Sequence, residues 1–355
     1  MGFLRYVGKR ALFSFIVIVG ELSLVFFLTN IVTPNPALIW AGPDASADQI
    51  AFMVQLYHLN SPWYVQLWYF LSNFFSGSWG QSPLYNQPVI GIIEQLFPVT
   101  LELAIFAFIL KVVSEVILGV ISAMRAGGII DNATRVFYTV IRSFPPFLLA
   151  LGLLLLFAYS LNILPSSQPL SPALSLTMPA FKFYNPFTNS YTGFWLIDNM
   201  PILNALLVGD MPAFQSAVSH AILPVIALTL FGYGGIIRLV KTSMLEVLDM
   251  DFVRTAKSKG LSQRVVIFRH ALRNSLLPAV TLLGLTFAQL VTGSLVVETI
   301  FEYYGLGYYI GQSLVRFDTP SLIGATALVT IIIVIANFVT DIGYGILDPR
   351  TRGQG

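Results

Sequence analysis

The run LIGATALVTIIIVIANFVT, residues 322–340, carries no charged side chain, and the nearest ones on either side are Asp318 and Asp341. A helix needs about 20 mostly apolar residues to cross the roughly 30 Å hydrocarbon layer of a bilayer. The stretch therefore reads as a membrane span, extending over Leu322–Leu347. Working back towards the N-terminus, the same criterion selects Leu276–Phe301, Val218–Val240, Phe137–Leu161, Val99–Met124 and Ala11–Val32. Six spans are predicted for 355 residues, of which 56% are hydrophobic and 10% charged. Soluble domains carry about 25% charged residues, so an ordinary soluble enzyme is excluded. A disordered chain lacks such apolar content, and a disulfide scaffold needs cysteine, of which there is none. A β-barrel would show short alternating strands instead of long unbroken runs. The expected fold class is an all-α integral membrane protein, multi-pass in the cell membrane.

The first run follows Arg5, Lys9 and Arg10, as a secretory signal would. At 22 residues it exceeds the 7–15 of a signal core, and it is read as a retained anchor. The other basic residues set orientation. Arg5, Lys9, Arg10, Arg125, Arg135, Arg142, the eight between Arg238 and Arg273, and Arg350 and Arg352 fall on one side, against Lys182 and Arg316 on the other. Sixteen against two places both termini in the cytoplasm by the positive-inside rule. Two long segments then lie outside, 33–98 and 165–217. The first contains Tyr64-Val65-Gln66-Leu67-Trp68-Tyr69-Phe70, an aromatic amphipathic stretch suited to the membrane interface. The second includes Tyr184-Asn185-Pro186-Phe187. Loops of such length fold locally or carry function. The division expected is 1–98, a first span with its outer segment, and 99–355, a five-helix core.

The densest sequence lies in the cytoplasmic loop 246–278. Val247, Met250, Val253 and Ala256 recur at three-residue steps, with Leu248 and Phe252 beside them, which predicts a short amphipathic helix. Gly260 suits the left-handed position that ends it, and Ser262 the N-cap of a second helix running towards span five. The expected shape is a helical hairpin whose apolar ridge has no core of its own. That ridge either lies on anionic lipid or docks into another protein.

The run DFVRTAKSKGLS, residues 251–262, with RHALRNSLLP at 269–278, resembles the coupling loop of ABC-importer permeases, general form E-A-A-x3-G-x9-I-x-L-P. Arg254-Thr255-Ala256 stand where E-A-A would be, and Gly260 keeps the glycine. This version is similar to the dipeptide, oligopeptide and nickel permease family, and the resemblance covers essentially the whole chain. It includes Ala47-Asp48-Gln49, Gly80-Gln81-Ser82, Val297-Glu298-Thr299-Ile300-Phe301, Gly305-Leu306-Gly307 and Leu347-Asp348-Pro349-Arg350. Departures are Asn35 within the family's P-G-D-P, Tyr304 in place of a proline before G-L-G, and a long 165–217 segment.

The resemblance implies a type I ABC-importer permease moving peptides or similar small solutes, oligosaccharides among them. Its implied partners are a second homologous permease, two cytoplasmic ATP-binding subunits, an extracytoplasmic substrate-binding protein and membrane lipid, but no nucleic acid. It implies ATPase contact through Asp251, Arg254, Thr255, Ala256, Lys257, Gly260 and Leu261, and no cofactor. An ion-gradient-driven secondary transporter is the alternative; matched broken helices in two halves would mark one, and the spacing shows no such symmetry.

Other chemistry is sparse. Charges inside spans cost about 2.5–3.5 kcal/mol each at the helix centre, which singles out Glu21, Glu102, Lys111 and Glu115. Lys111 and Glu115, four apart, share a helix face. These four line a polar translocation path or join helices to one another. His58, His220 and His270 have no metal-ligand spacing, and no G-x-S-x-G or G-x4-G-K-[ST] occurs. ATP hydrolysis, and catalysis generally, are therefore expected elsewhere. Phe144-Pro145-Pro146 should kink or break span three, and Gly232, Gly234 and Gly235 should loosen span four.

Overall fold

The computed structural model describes residues 3–32, 35–42, 45–171, 174, 178–185 and 190–347. Pro34, Pro186-Phe187, Asp348-Pro349-Arg350 and Arg352 lie outside the described residues. In chain order the helices are α1 Phe3–Phe26, continued by a wider-wound turn Phe27–Val32, then α2 Pro36–Ala41, α3 Ala47–Leu56 and α4 Trp63–Phe75. A small antiparallel hairpin follows, β1 Gln81–Ser82 with β2 Gln87–Pro88. Next come α5 Val89–Met124, α6 Ile129–Ser143 and α7 Pro146–Leu153, the last running on to Ser160. A second hairpin, β3 Lys182–Asn185 with β4 Ser190–Gly193, precedes α8 Trp195–Asp198 and α9 Pro201–Val208. The chain continues as α10 Met211–Leu230, α11 Gly235–Leu248, α12 Asp251–Ser258 and a composite helical run α13 over 263–275. It ends with α14 Leu277–Ile300, α15 Leu306–Val315 and α16 Thr319–Leu347.

Among the described residues, five helices are long and apolar enough to cross a membrane, and counting the bent pair α6–α7 as a single broken span gives six. Three of the expected spans change shape. The second begins ten residues earlier, at Val89, because Pro98 is accommodated inside α5, so position 98/99 falls within a helix. The third is not one helix: Phe144 and Pro145 are extended and α6 meets α7 at 102°, since proline supplies no amide and clashes with the preceding turn. The fourth stops at Leu230 and resumes at Gly235, with Gly232 and Gly234 at φ 63° and 98°.

α14 packs along α16 and α5, and α5 carries both α10 and α11. α1 lies against α16, its C-terminal half held by Leu22 and Phe26 beside Ile323 and Ala327. One apolar core gathers Leu103, Leu154, Ala217, Leu228, Leu290 and Phe301. A second sits at the other end of the bundle, around Val120, Val240, Met244, Val247, Val266 and Ala271. The aromatic stretch at 64–70 forms α4, whose Phe70 and Phe74 turn inward while Trp63, Tyr64 and Trp68 stay exposed. Ser46 and Gln49 close a reciprocal cap on α3.

Candidate functional site

α12 is an eight-residue helix whose two faces have different surroundings. Val253 and Ala256 are buried at 0% and 6% exposure, within the core that also holds Val247, Val266 and Ile267. Val247, Val253 and Ala256 of the ridge expected to lack a core therefore pack on their own chain, while Met250 stays exposed. α11 and α13 flank α12 closely enough to cover a one-turn stripe of small side chains. The other face is open. Asp251, Arg254, Thr255 and Lys257 are exposed, as are Met250, Phe252 and Leu261. Arg254 lies 3.5 Å from Asp251, a solvent-facing contact of the kind worth little.

The C-terminal end of α12 is set by Gly260 at φ 74°. Its amide donates to the Lys257 carbonyl at 3.0 Å and the Leu261 amide donates to the Ala256 carbonyl at 3.4 Å, the paired bonds of a Schellman ending. Ser262 occupies the N-cap position of the next helix as expected, but its side chain makes no capping bond. A cavity of about 400 Å³ opens beside the hairpin, lined by Met124, Leu248, Asp249, Lys257, Leu261 and Gln263 among others. Above the hairpin, Lys241 of α11 meets Asp131 of α6 at 2.5 Å, and Asp131 also accepts from Ser122 of α5 and the Gly127 amide.

The four charges singled out inside spans each join elements. Lys111 and Glu115 pair at 3.0 Å with 3% and 0% exposure. The Lys111 ammonium donates to the carbonyls of Thr229 at 3.1 Å and Phe231 at 2.7 Å, at the end of α10. Glu115 accepts from the amides of Ile236 at 2.8 Å and Ile237 at 3.2 Å, at the start of α11. Glu102 accepts from the amides of Ile202 and Leu203, capping α9. Glu21 accepts from Thr330 and ties α1 to α16.

Glu298 is a charge that the sequence criterion should have found and did not. Glu298 lies inside the run Leu276–Phe301 and is fully buried. It accepts from Thr100 at 2.7 Å and the Tyr308 amide at 3.0 Å, fastening the turn after α14 to α5. Asp131 gave no such signal, because it sits in an ordinary polar stretch. No group of three or more His, Asp or Glu able to hold a metal occurs among the described residues.

Residues 115–353 match the model of a family described as the binding-protein-dependent transport system inner membrane component. Full-length similarity extends to bacterial permeases. The chain is 33% identical to the probable D,D-dipeptide transport system permease protein DdpB of Escherichia coli, covering 100% of both chains. It is 32% identical to the dipeptide transport system permease protein DppB of Alkalihalophilus pseudofirmus, over 98% of this chain and 99% of that one. It is 32% identical to the di/tripeptide transport system permease protein DppB of Pseudomonas aeruginosa, over 99% of each.

Proposed function

Because the chain belongs to the binding-protein-dependent transport inner-membrane component family, a family of helical membrane permeases rather than enzymes, we propose that it imports short peptides and meets its motor through α12. Members of such systems work with a substrate-binding protein and an ATPase. The relatives named for dipeptides and di- or tripeptides support the solute class. A second permease closes the pathway against this chain, and two ATPase subunits sit on the cytoplasmic side, where the basic loops and both termini lie. Residues before α5 act as a peripheral helix and outer cap on the core, which begins with α5 at Val89 and not at position 99. No observation favours the ion-gradient alternative.

The observation that carries the coupling role is the two-sided character of α12. Its inner face is anchored by Val253 and Ala256, so force applied to its outer face passes into the bundle instead of peeling the helix away. The outer face offers Arg254, Thr255, Lys257 and Leu261 around a rigid glycine ending. ATP-driven closure of the ATPase pair would displace this face and switch the pathway between two bundle states.

The test is capture of the ATPase by the detergent-solubilised permease assembly. Thr255→Glu places a carboxylate on the exposed basic face, away from the core, and is expected to lower capture about tenfold, equivalent to about 1.4 kcal/mol. Membrane insertion should be unchanged. Capture equal to wild type removes α12 as the contact.

A further inference from the structure

Span four is interrupted between Leu230 and Gly235, and α11 below the interruption leads into α12 after only two residues. A joint containing Gly232 and Gly234, both in the left-handed region, offers little resistance to bending by itself. Movement of α12 would then be absorbed there. One residue pair on α5 holds both loose ends. The cation of Lys111 sits at the carbonyl end of α10, and the anion of Glu115 at the amide end of α11. Each sign matches the partial charge of the helix terminus it meets.

The pair is costly to keep for stability alone. Buried ion pairs are often matched or exceeded in stability by apolar side chains of similar size, and this one is set in a membrane-spanning helix. Its ligands are also specific to the interruption: four backbone groups of one broken helix, plus the ring of Tyr233 within the break, 5.2 Å from the ammonium. Tyr233 itself donates to Ser114 of α5 at 2.9 Å. One turn further on, α5 and α11 approach so closely that a Cβ on Gly119 would lie 2.9 Å from that of Val240.

We propose that Lys111 and Glu115 are positioning residues for energy coupling, pinning the broken fourth span to α5 so that displacement of α12 moves the bundle instead of bending the glycine joint. The inference rests on α12 being the ATPase contact, and its test separates the two. The chain has no cysteine, so spin labels at Lys259→Cys on the α12 ending and Ile117→Cys on the exposed side of α5 report one distance. In the assembled transporter, that distance is expected to stay constant between the nucleotide-free state and the state trapped with ATP and vanadate.

In Lys111→Met/Glu115→Leu, the same nucleotide change is expected to shift the distance by at least about 2 Å, the scale of helix displacements in such transitions. ATP hydrolysed per dialanine imported should rise at least tenfold, with ATPase capture unchanged. The reversed pair Lys111→Glu/Glu115→Lys keeps an ion pair but mismatches both helix ends, and should fail in the same way. If the apolar pair blocks assembly, Glu115→Gln carries the distance measurement with the same expected shift. A constant distance in these variants, or recovery by the reversed pair, overturns the inference. Loss of ATPase capture in Thr255→Glu would meanwhile still support the α12 contact, and unchanged capture there would refute that contact alone.

Discussion

At the scale of single residues, Gly260 and Tyr57 make separate demands on their surroundings. Gly260 holds φ 74° with open space where a Cβ would stand, so the obstacle to substitution is backbone strain and not crowding. Gly260→Ala is expected to cost about 1 kcal/mol and to speed amide exchange at Lys259 to Leu261 several-fold, with the core of α12 unaffected. Tyr57, at the end of α3, stacks on Trp40 with ring centroids 4.3 Å apart. Burial pushes its hydroxyl up to about 12. A phenol whose folded value lies above the ordinary 10.0 favours the folded form while neutral. That contribution is complete below about pH 10 and declines as pH rises towards about 12. Thermal melting of the wild type should therefore fall more steeply between about pH 10 and 12 than that of Tyr57→Phe, and parallel curves would contradict the assignment.

At the scale of elements, α12 shows what a sequence can and cannot say. Its amphipathic period and glycine ending were legible from residues 247–260, because helix periodicity and left-handed glycine are local properties. The body covering the ridge was not, since periodicity reports an apolar face but not its neighbour; here α11 and α13 supply it. The consequence is a contrast between adjacent positions. Ala256→Glu buries a carboxylate in its own core and is expected to destabilise the fold by at least about 3 kcal/mol, read as loss of folded protein, whereas Thr255→Glu is expected to spare folding and weaken the proposed ATPase contact. Equal folded yields would refute the burial. The breaks at Pro145 and at Gly232–Gly234 were likewise foreshadowed by residue type, but the 102° elbow was not. The Lys111–Glu115 spacing was visible too. Their ligands were hidden, being backbone atoms 118 to 122 residues further along the chain, which carry no side-chain signature.

At the scale of the whole molecule, the chain is a bundle with attachments held at several depths. α1 meets α16 through Arg10 and Asp341 at 3.0 Å, through Glu21 and Thr330, and through Leu22 and Phe26 towards the C-terminal end of α1. Five long apolar helices and their order followed from hydropathy alone, because lipid forces helices to announce themselves; the elbow in the third expected span and the fastening of α1 did not, the latter because it depends on a partner 309 residues away. Trp68 of α4 is 72% exposed beside Trp63 and Tyr64, the arrangement of an interfacial belt. In a variant whose single tryptophan is Trp68, lipid-borne quenchers near the headgroup should quench its fluorescence more strongly than quenchers at the bilayer centre, and the reverse order would place α4 elsewhere. Finally, the split of α12 into an inward and an outward surface frees the two to diverge. Substitutions at the exposed Arg254, Thr255, Lys257 and Leu261 leave the inward packing intact, so on the proposed contact a handful of changes would readdress this permease to a foreign motor without redesigning the rest of the machine.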